Sequence, residues 1–136
     1  MGVDVGTARI GIALSDELGI TARPFETVPR TGARATVDAI RRIATENGVE
    51  RIVVGLPLSM AGSEQPSSTD ARQIAEAIGA GTGLPVVTWD ERLTTAAAER
   101  SLIEGGVRRE RRREIIDQVA AALMLQGYLD AGPAKP

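Results

Sequence analysis

The chain has 136 residues, a formal net charge of −2, 43% hydrophobic residues and 25% charged residues, the size and balance of one ordered globular domain. It contains no cysteine and no histidine, which excludes disulfides, thiol catalysis, Cys-type zinc sites, the Ser-His-Asp triad and most transition-metal sites. Chemistry is left to carboxylates, hydroxyls, Lys and Arg, and to hard cations such as Mg²⁺ or Mn²⁺.

In chain order, residues 1–5 read as a short strand and Gly6 to Arg9 as a turn. Ile10, Ile12 and Leu14 then alternate with Gly11 and Ala13, the period of a second strand. So short a turn predicts an antiparallel hairpin. Residues 22–28 read as a third strand weakened by Pro24. From Ala33 to Glu46 the period becomes helical, with Val37, Ile40, Ile43 and Ala44 on one stripe and Asn47-Gly48 as the stop. Arg51 to Leu56 are a Val/Ile-rich buried strand closed by Pro57. Residues 59–68 read as a Gly/Ser/Pro loop, Thr69 to Ile78 as a helix, Gly79 to Gly83 as a glycine-rich break, and Pro85 to Trp89 as the last strand. A helix capped by Thr94 or Thr95 and ended by Gly105-Gly106 follows. The closing helix runs from about Glu110 to Leu129, with Ile116, Val119, Ala120, Leu123 and Gly127 on one side. The order β-β-β-α-β-α-β-α-α predicts an α/β sandwich with a mixed sheet. Residues 1–131 are expected to form a single domain and 132–136, Gly-Pro-Ala-Lys-Pro, a flexible tail. With no apolar run of membrane-spanning length and no signal-peptide pattern, a cytoplasmic protein that meets no membrane is the expectation.

Three carboxylates stand out. Asp4 lies within an apolar strand, opposite in parity to Val3 and Val5, where an acid is costly unless paired or metal-bound; the plainer reading is an acid hydrogen-bonded to the turn. Glu91 lies at the carboxyl end of the last strand, where ligands of open α/β sheets gather; it could equally be a solvated partner of Arg92, and Asp90 competes with it while the strand register is open. Asp117 shares helical spacing with Ala121, Met124 and Tyr128, at the edge of the core-facing stripe, although an acid early in a helix also suits the dipole. Three such groups together can hold two divalent cations.

Arg108, Arg109, Arg111, Arg112 and Arg113 crowd the start of the closing helix, where they oppose its dipole and suit phosphate contact; a solvated charged face shared with Glu110 and Glu114 is the simpler alternative. Aromatic residues are only 2% of the chain, so nucleic-acid recognition would run through phosphates and shape, not base stacking.

Gly2-Val3-Asp4-Val5-Gly6-Thr7-Ala8-Arg9-Ile10-Gly11, Val54-Gly55-Leu56-Pro57-Leu58, Asp90-Glu91-Arg92-Leu93-Thr94-Thr95 and Ile116-Asp117-Gln118-Val119-Ala120-Ala121-Ala122 occur in this order across nearly the whole chain. Together they resemble the YqgF/RuvX family, described as Holliday junction resolvases and as pre-16S rRNA nucleases. The resemblance implies a ribonuclease H-like fold, a five-stranded mixed sheet flanked by helices, and an acidic site with divalent metal. By position it makes Asp4, Glu91 and Asp117 the metal-binding, catalytic carboxylates, with Mg²⁺ or Mn²⁺, two ions, as cofactor. Arg9 matches the family's arginine after the first strand and would position a phosphate, unless it is merely a turn arginine paired with a surface acid. The loop from Ser59 to Ser68 falls where the family has a mobile loop. The abbreviated N-terminus departs from the family and predicts a short first strand.

The function expected is metal-dependent phosphodiester hydrolysis, a hydrolase acting on ester bonds, at the 5′ end of pre-16S rRNA. Holliday junction resolution is the alternative within the same chemistry. The partner is nucleic acid, pre-rRNA or branched DNA, and the protein a monomer or homodimer; symmetric cutting of a four-way junction needs two sites and hence a dimer. Two other classes compete. Asp4-Val5-Gly6-Thr7 with Ser15-Asp16 looks like the first phosphate loop of sugar kinases and actin-like ATPases, but the second domain and second loop those proteins need are lacking. A non-catalytic RNA-binding module for ribosome assembly would keep the acids for stability alone.

Overall fold

The computed structural model describes residues 1–59, 61–90 and 109–131, with the side chains of 109–115 left aside. Five strands, β1 (Gly2–Val5), β2 (Arg9–Ser15), β3 (Ala22–Pro29), β4 (Ile52–Leu56) and β5 (Val86–Asp90), form one sheet in the order β3-β2-β1-β4-β5. β1-β2 and β2-β3 pair antiparallel, β1-β4 and β4-β5 parallel. Helices α1 (Ala33–Glu46) and α2 (Pro66–Thr82) connect the parallel strands, and α3 (Arg109–Asp130) follows β5. The mixed α/β sheet expected from the sequence is therefore present, and the carboxyl ends of β1, β4 and β5 share one edge.

Strand parity separates the two faces of the sheet. Val3, Ile10, Ile12, Ile52 and Val54 join Ile40 and Ile43 of α1 and Ile74 and Ile78 of α2 in one aliphatic core. Each such side chain removed from water contributes about 2 kcal/mol. On the other face Ala13 and Val53 meet Ala121, Met124, Leu125 and Tyr128 of α3. Small residues let this helix come close: a Cβ on Gly2 would lie 2.9 Å from Leu125 Cβ and 3.0 Å from the Ala121 carbonyl.

Pro24 does not break β3. The strand is an edge, where a missing N–H costs no ladder bond, and the register shifts so that Ile12 faces Glu26 and Ala13 faces Pro24. Three expectations need correction. The helix expected from Thr69 begins at Pro66: proline suits the first helical position, and a capping box holds the end, with the Gln65 N–H donating to Ser68 Oγ at 3.1 Å. The glycine-rich break at 79–83 is helix as far as Thr82, ending on Gly83 with φ 72°. Gly79 and Gly81 serve packing there, since a Cβ on Gly81 would sit 2.3 Å from Val37 Cγ1 of α1. The stripe expected on the last helix is also only half of its buried surface. Val119 and Ala120, with Ile116 and Leu123, form a separate cluster, while Ala121, Met124, Leu125 and Tyr128 face the sheet.

Candidate active site

Asp4 stands directly across the β1-β2 ladder from Gly11, and Gly11 across the β2-β3 ladder from Thr27. Residues paired in this way project from the same face. At Gly11 that face is α3: a Cβ there would lie 2.1 Å from the carbonyl oxygen of Asp117 and 2.8 Å from the backbone nitrogen of Gln118. The helix can cross this row only because Gly11 has no side chain. The backbone of Asp117 thus passes over the row that holds the half-buried Asp4, and Gln118 Nε2 donates to Thr27 Oγ1 at 3.1 Å on the far side of the row. Residues 4 and 117, 113 positions apart in the chain (117 minus 4), thus lie on elements that meet at the Gly11 row.

Arg9 belongs to the same group. It opens β2, its carbonyl accepts from the Gly6 N–H at 2.9 Å, and its Nε donates to Asp117 Oδ2 at 2.8 Å. Its side chain is 54% exposed, that of Asp117 21%. The turn arginine therefore pairs with an acid, but the acid is Asp117.

Asp90 takes the opposite parity to Asp4. Val86 joins the α1/α2 core whereas Val87 and Trp89 pack against α3, so Asp90 projects to the α1/α2 side, away from Asp4. Glu91, Arg108, the helix expected after Thr94 or Thr95 and the tail 132–136 lie outside the described residues. Arg109, Arg111, Arg112 and Arg113 occupy the opening turns of α3. Among the described residues no three Asp or Glu side chains form a metal-sized group. Asp4 and Asp117 carry hard oxygen donors of the kind Mg²⁺ or Mn²⁺ takes, on elements that meet at the Gly11 row.

One supporting pair escapes sequence reading. Arg30 donates through Nη1 and Nη2 to Asp70 at 2.8 and 2.6 Å, and through Nη1 to the Gly6 carbonyl at 2.9 Å. Its own N–H donates to the Ala8 carbonyl at 3.0 Å. The turn after Asp4 is thereby tied to α2. The Arg30 guanidinium, by hydrogen bonding, holds the Asp70 carboxyl below the usual carboxylate range, and Asp70 raises Arg30 in return. Under the loop after β4, Ser68 Oγ donates to the Pro57 carbonyl. A groove of about 1110 Å³, lined by Met1, Leu14, Arg51 and Tyr128 among others, opens at the opposite edge of the sheet and includes neither Asp4 nor Asp117.

The same architecture is found in solved structures of RuvC from Thermus thermophilus. In its complex with a Holliday junction substrate that protein superposes with a TM-score of 0.59 at 22% identity, over 99% of this chain and 96% of the other. A second structure of it gives 0.56 at 19% identity, over 99% and 97%. The class is therefore that of ribonuclease H-like α/β domains. The profile of the RuvX family, described as Holliday junction resolvase, matches residues 1–131. Relatives bearing the name "Putative pre-16S rRNA nuclease" include one from Myxococcus xanthus, 50% identical over 96% of this chain and 87% of that protein. Others from Symbiobacterium thermophilum and Moorella thermoacetica are 49% and 51% identical, over 99% and 96% of this chain and 94% and 93% of theirs. The chain belongs to the RuvX family of nucleases. No described helix is long and apolar enough to cross a membrane.

Proposed function

We propose that this chain hydrolyses phosphodiester bonds in the 5′ leader of pre-16S rRNA, with Asp4, Glu91 and Asp117 holding Mg²⁺ or Mn²⁺. The observation that carries the reading is the Gly11 crossing, which sets the α3 backbone at Asp117 over the row that holds Asp4. A divalent ion bound there would activate water and neutralise charge developing on the phosphate. Asp4 and Asp117 would bind and orient. Arg9, and the arginines at 108, 109 and 111–113, would contact phosphates along the strand. The substrate rests on the name borne by relatives about half identical over nearly the whole chain. The cytoplasm is the compartment that reading requires.

Resolution of four-way DNA junctions is the second reading, favoured by the description of the family itself. It requires two copies of the site in a homodimer. The phosphotransferase class loses its support: Asp16 lies at the far end of β2 from Asp4 and caps its own hairpin loop, accepting from the Ile20 N–H at 2.7 Å and the Thr21 N–H at 3.1 Å.

Purified protein incubated with a pre-16S leader RNA and, separately, a four-way DNA junction, in Mn²⁺ or EDTA, tests both readings. Metal-dependent cleavage of the RNA that disappears in Asp4→Asn is the expected result. Preferential cutting of the junction would shift the assignment to DNA. Retained RNA binding without cleavage of either substrate would leave a non-catalytic assembly module.

A further inference from the structure

Two arginine–carboxylate pairs flank the Gly6–Arg9 turn, and they are built differently. Arg30 grips both oxygens of Asp70 and is 19% exposed. Arg9 reaches a single oxygen of Asp117 through Nε alone and is 54% exposed. Bidentate pairs with a mostly buried guanidinium hold geometry; a monodentate, half-exposed pair contributes little and exchanges readily. Yet the weak contact falls on the carboxylate that the proposed nuclease site needs for metal. A divalent cation and a guanidinium on the same carboxylate oxygen repel one another, and hard carboxylate oxygens favour the doubly charged ion.

We infer that Arg9 and the divalent cation compete for Asp117. Without metal, Arg9 closes the Asp117 carboxylate. When metal binds, the guanidinium is released at the mouth of the site, its backbone still anchored by the Gly6 N–H to Arg9 carbonyl bond and by pairing with Pro29. There it can fork onto a phosphate. Metal affinity and phosphate affinity are then coupled through one side chain, and the coupling is reciprocal: phosphate that draws Arg9 away must also tighten metal. Arg9 is thus a positioning residue that links the two events. This rests on the metal-site reading above, because Asp117 has to be a ligand.

The test is a Mn²⁺ titration of the full chain without nucleic acid, followed by electron paramagnetic resonance of free Mn²⁺. Arg9→Gln is expected to bind Mn²⁺ roughly threefold to tenfold more tightly than wild type, the scale of an exposed ion pair removed together with a nearby positive charge. Arg42→Gln, which removes a similarly exposed arginine of α1 paired with Glu26 of β3 and Glu46 of α1, should bind as wild type does. Equal or weaker binding by Arg9→Gln would overturn the competition. If wild type binds, Asp4→Asn does not, and Arg9→Gln matches wild type, the metal site stands and only the competition falls. If Asp4→Asn and wild type are indistinguishable, the metal site itself falls and takes the competition with it.

Discussion

The two faces of the sheet solve different problems with the same strands. Towards α1 and α2 the strands present Val3, Ile10, Ile12, Ile52 and Val54, all essentially inaccessible to solvent. Towards α3 they present Gly2, Asp4, Gly11 and Ala13, so little volume that the helix backbone itself becomes the neighbour. The first face supplies stability by burying large side chains. The second gives up side-chain volume and gains position: a glycine seat sets where Asp117 stands relative to Asp4. In one seven-residue strand, β2, alternate residues carry these two tasks.

Substitutions that exchange the properties of the faces should break this contrast, most severely at the glycine seat. Gly11→Val puts a branched side chain where backbone atoms of Asp117 already lie within 2.3 Å of a Cβ position, and should cost more than about 4 kcal/mol, since a backbone neighbour cannot yield as a side chain can. Urea unfolding would show most of the domain's stability gone. Ile40→Ala on the opposite face, where Ile40 is fully buried, should cost about 3 kcal/mol by leaving a cavity, while the protein that remains folded keeps its metal affinity.

Asp70→Asn should cost about 1 kcal/mol or less, because the carboxylate is 41% exposed and solvent screens the pair. Its pH dependence identifies the cause. The folded carboxyl is held below its ordinary value, so the pair's contribution is present above a pH of about 4 and fades as pH falls through the lower folded value. Thermal melts of wild type and Asp70→Asn should differ at neutral pH and converge below about pH 4. A constant difference across that range would assign the loss to packing. The smallest effect on stability is expected of Asp4→Asn, which keeps the size of the side chain and should leave the melting temperature of the metal-free protein near that of wild type. A loss would mean that Asp4 is kept for the fold.

Much of the frame was legible in the sequence because periodicity is local. The alternation in residues 10–14 separates the two faces of β2, and the Val37–Ile40–Ile43–Ala44 stripe predicts α1 with its observed bounds. The missed start of α2 at Pro66 was a local signal; the rest of what failed depended on distant neighbours. Gly79 and Gly81 read as a break because Val37, which explains Gly81, lies on another helix. Gly11 read as a small alternating residue until α3 was seen to cross it. Arg30 carried no signal, its partners being 24 and 40 residues away. Within the site, Asp4, Arg9 and Asp117 were all named from the sequence, but strand parity, visible only in the folded sheet, was needed to turn Asp90 away from them.

The central claim, that Asp4 and Asp117 share one metal position across the Gly11 seat, is tested most directly by iron-directed backbone cleavage. Fe²⁺ bound in place of Mg²⁺ or Mn²⁺, with ascorbate and peroxide, cuts the polypeptide close to where it sits. Paired cuts near residues 4–11 and near residue 117, suppressed by excess Mg²⁺ and lost in Asp4→Asn, are the predicted result. Cuts confined to the opposite edge around residues 15–19, or cuts near Asp117 that persist in Asp4→Asn, would contradict it.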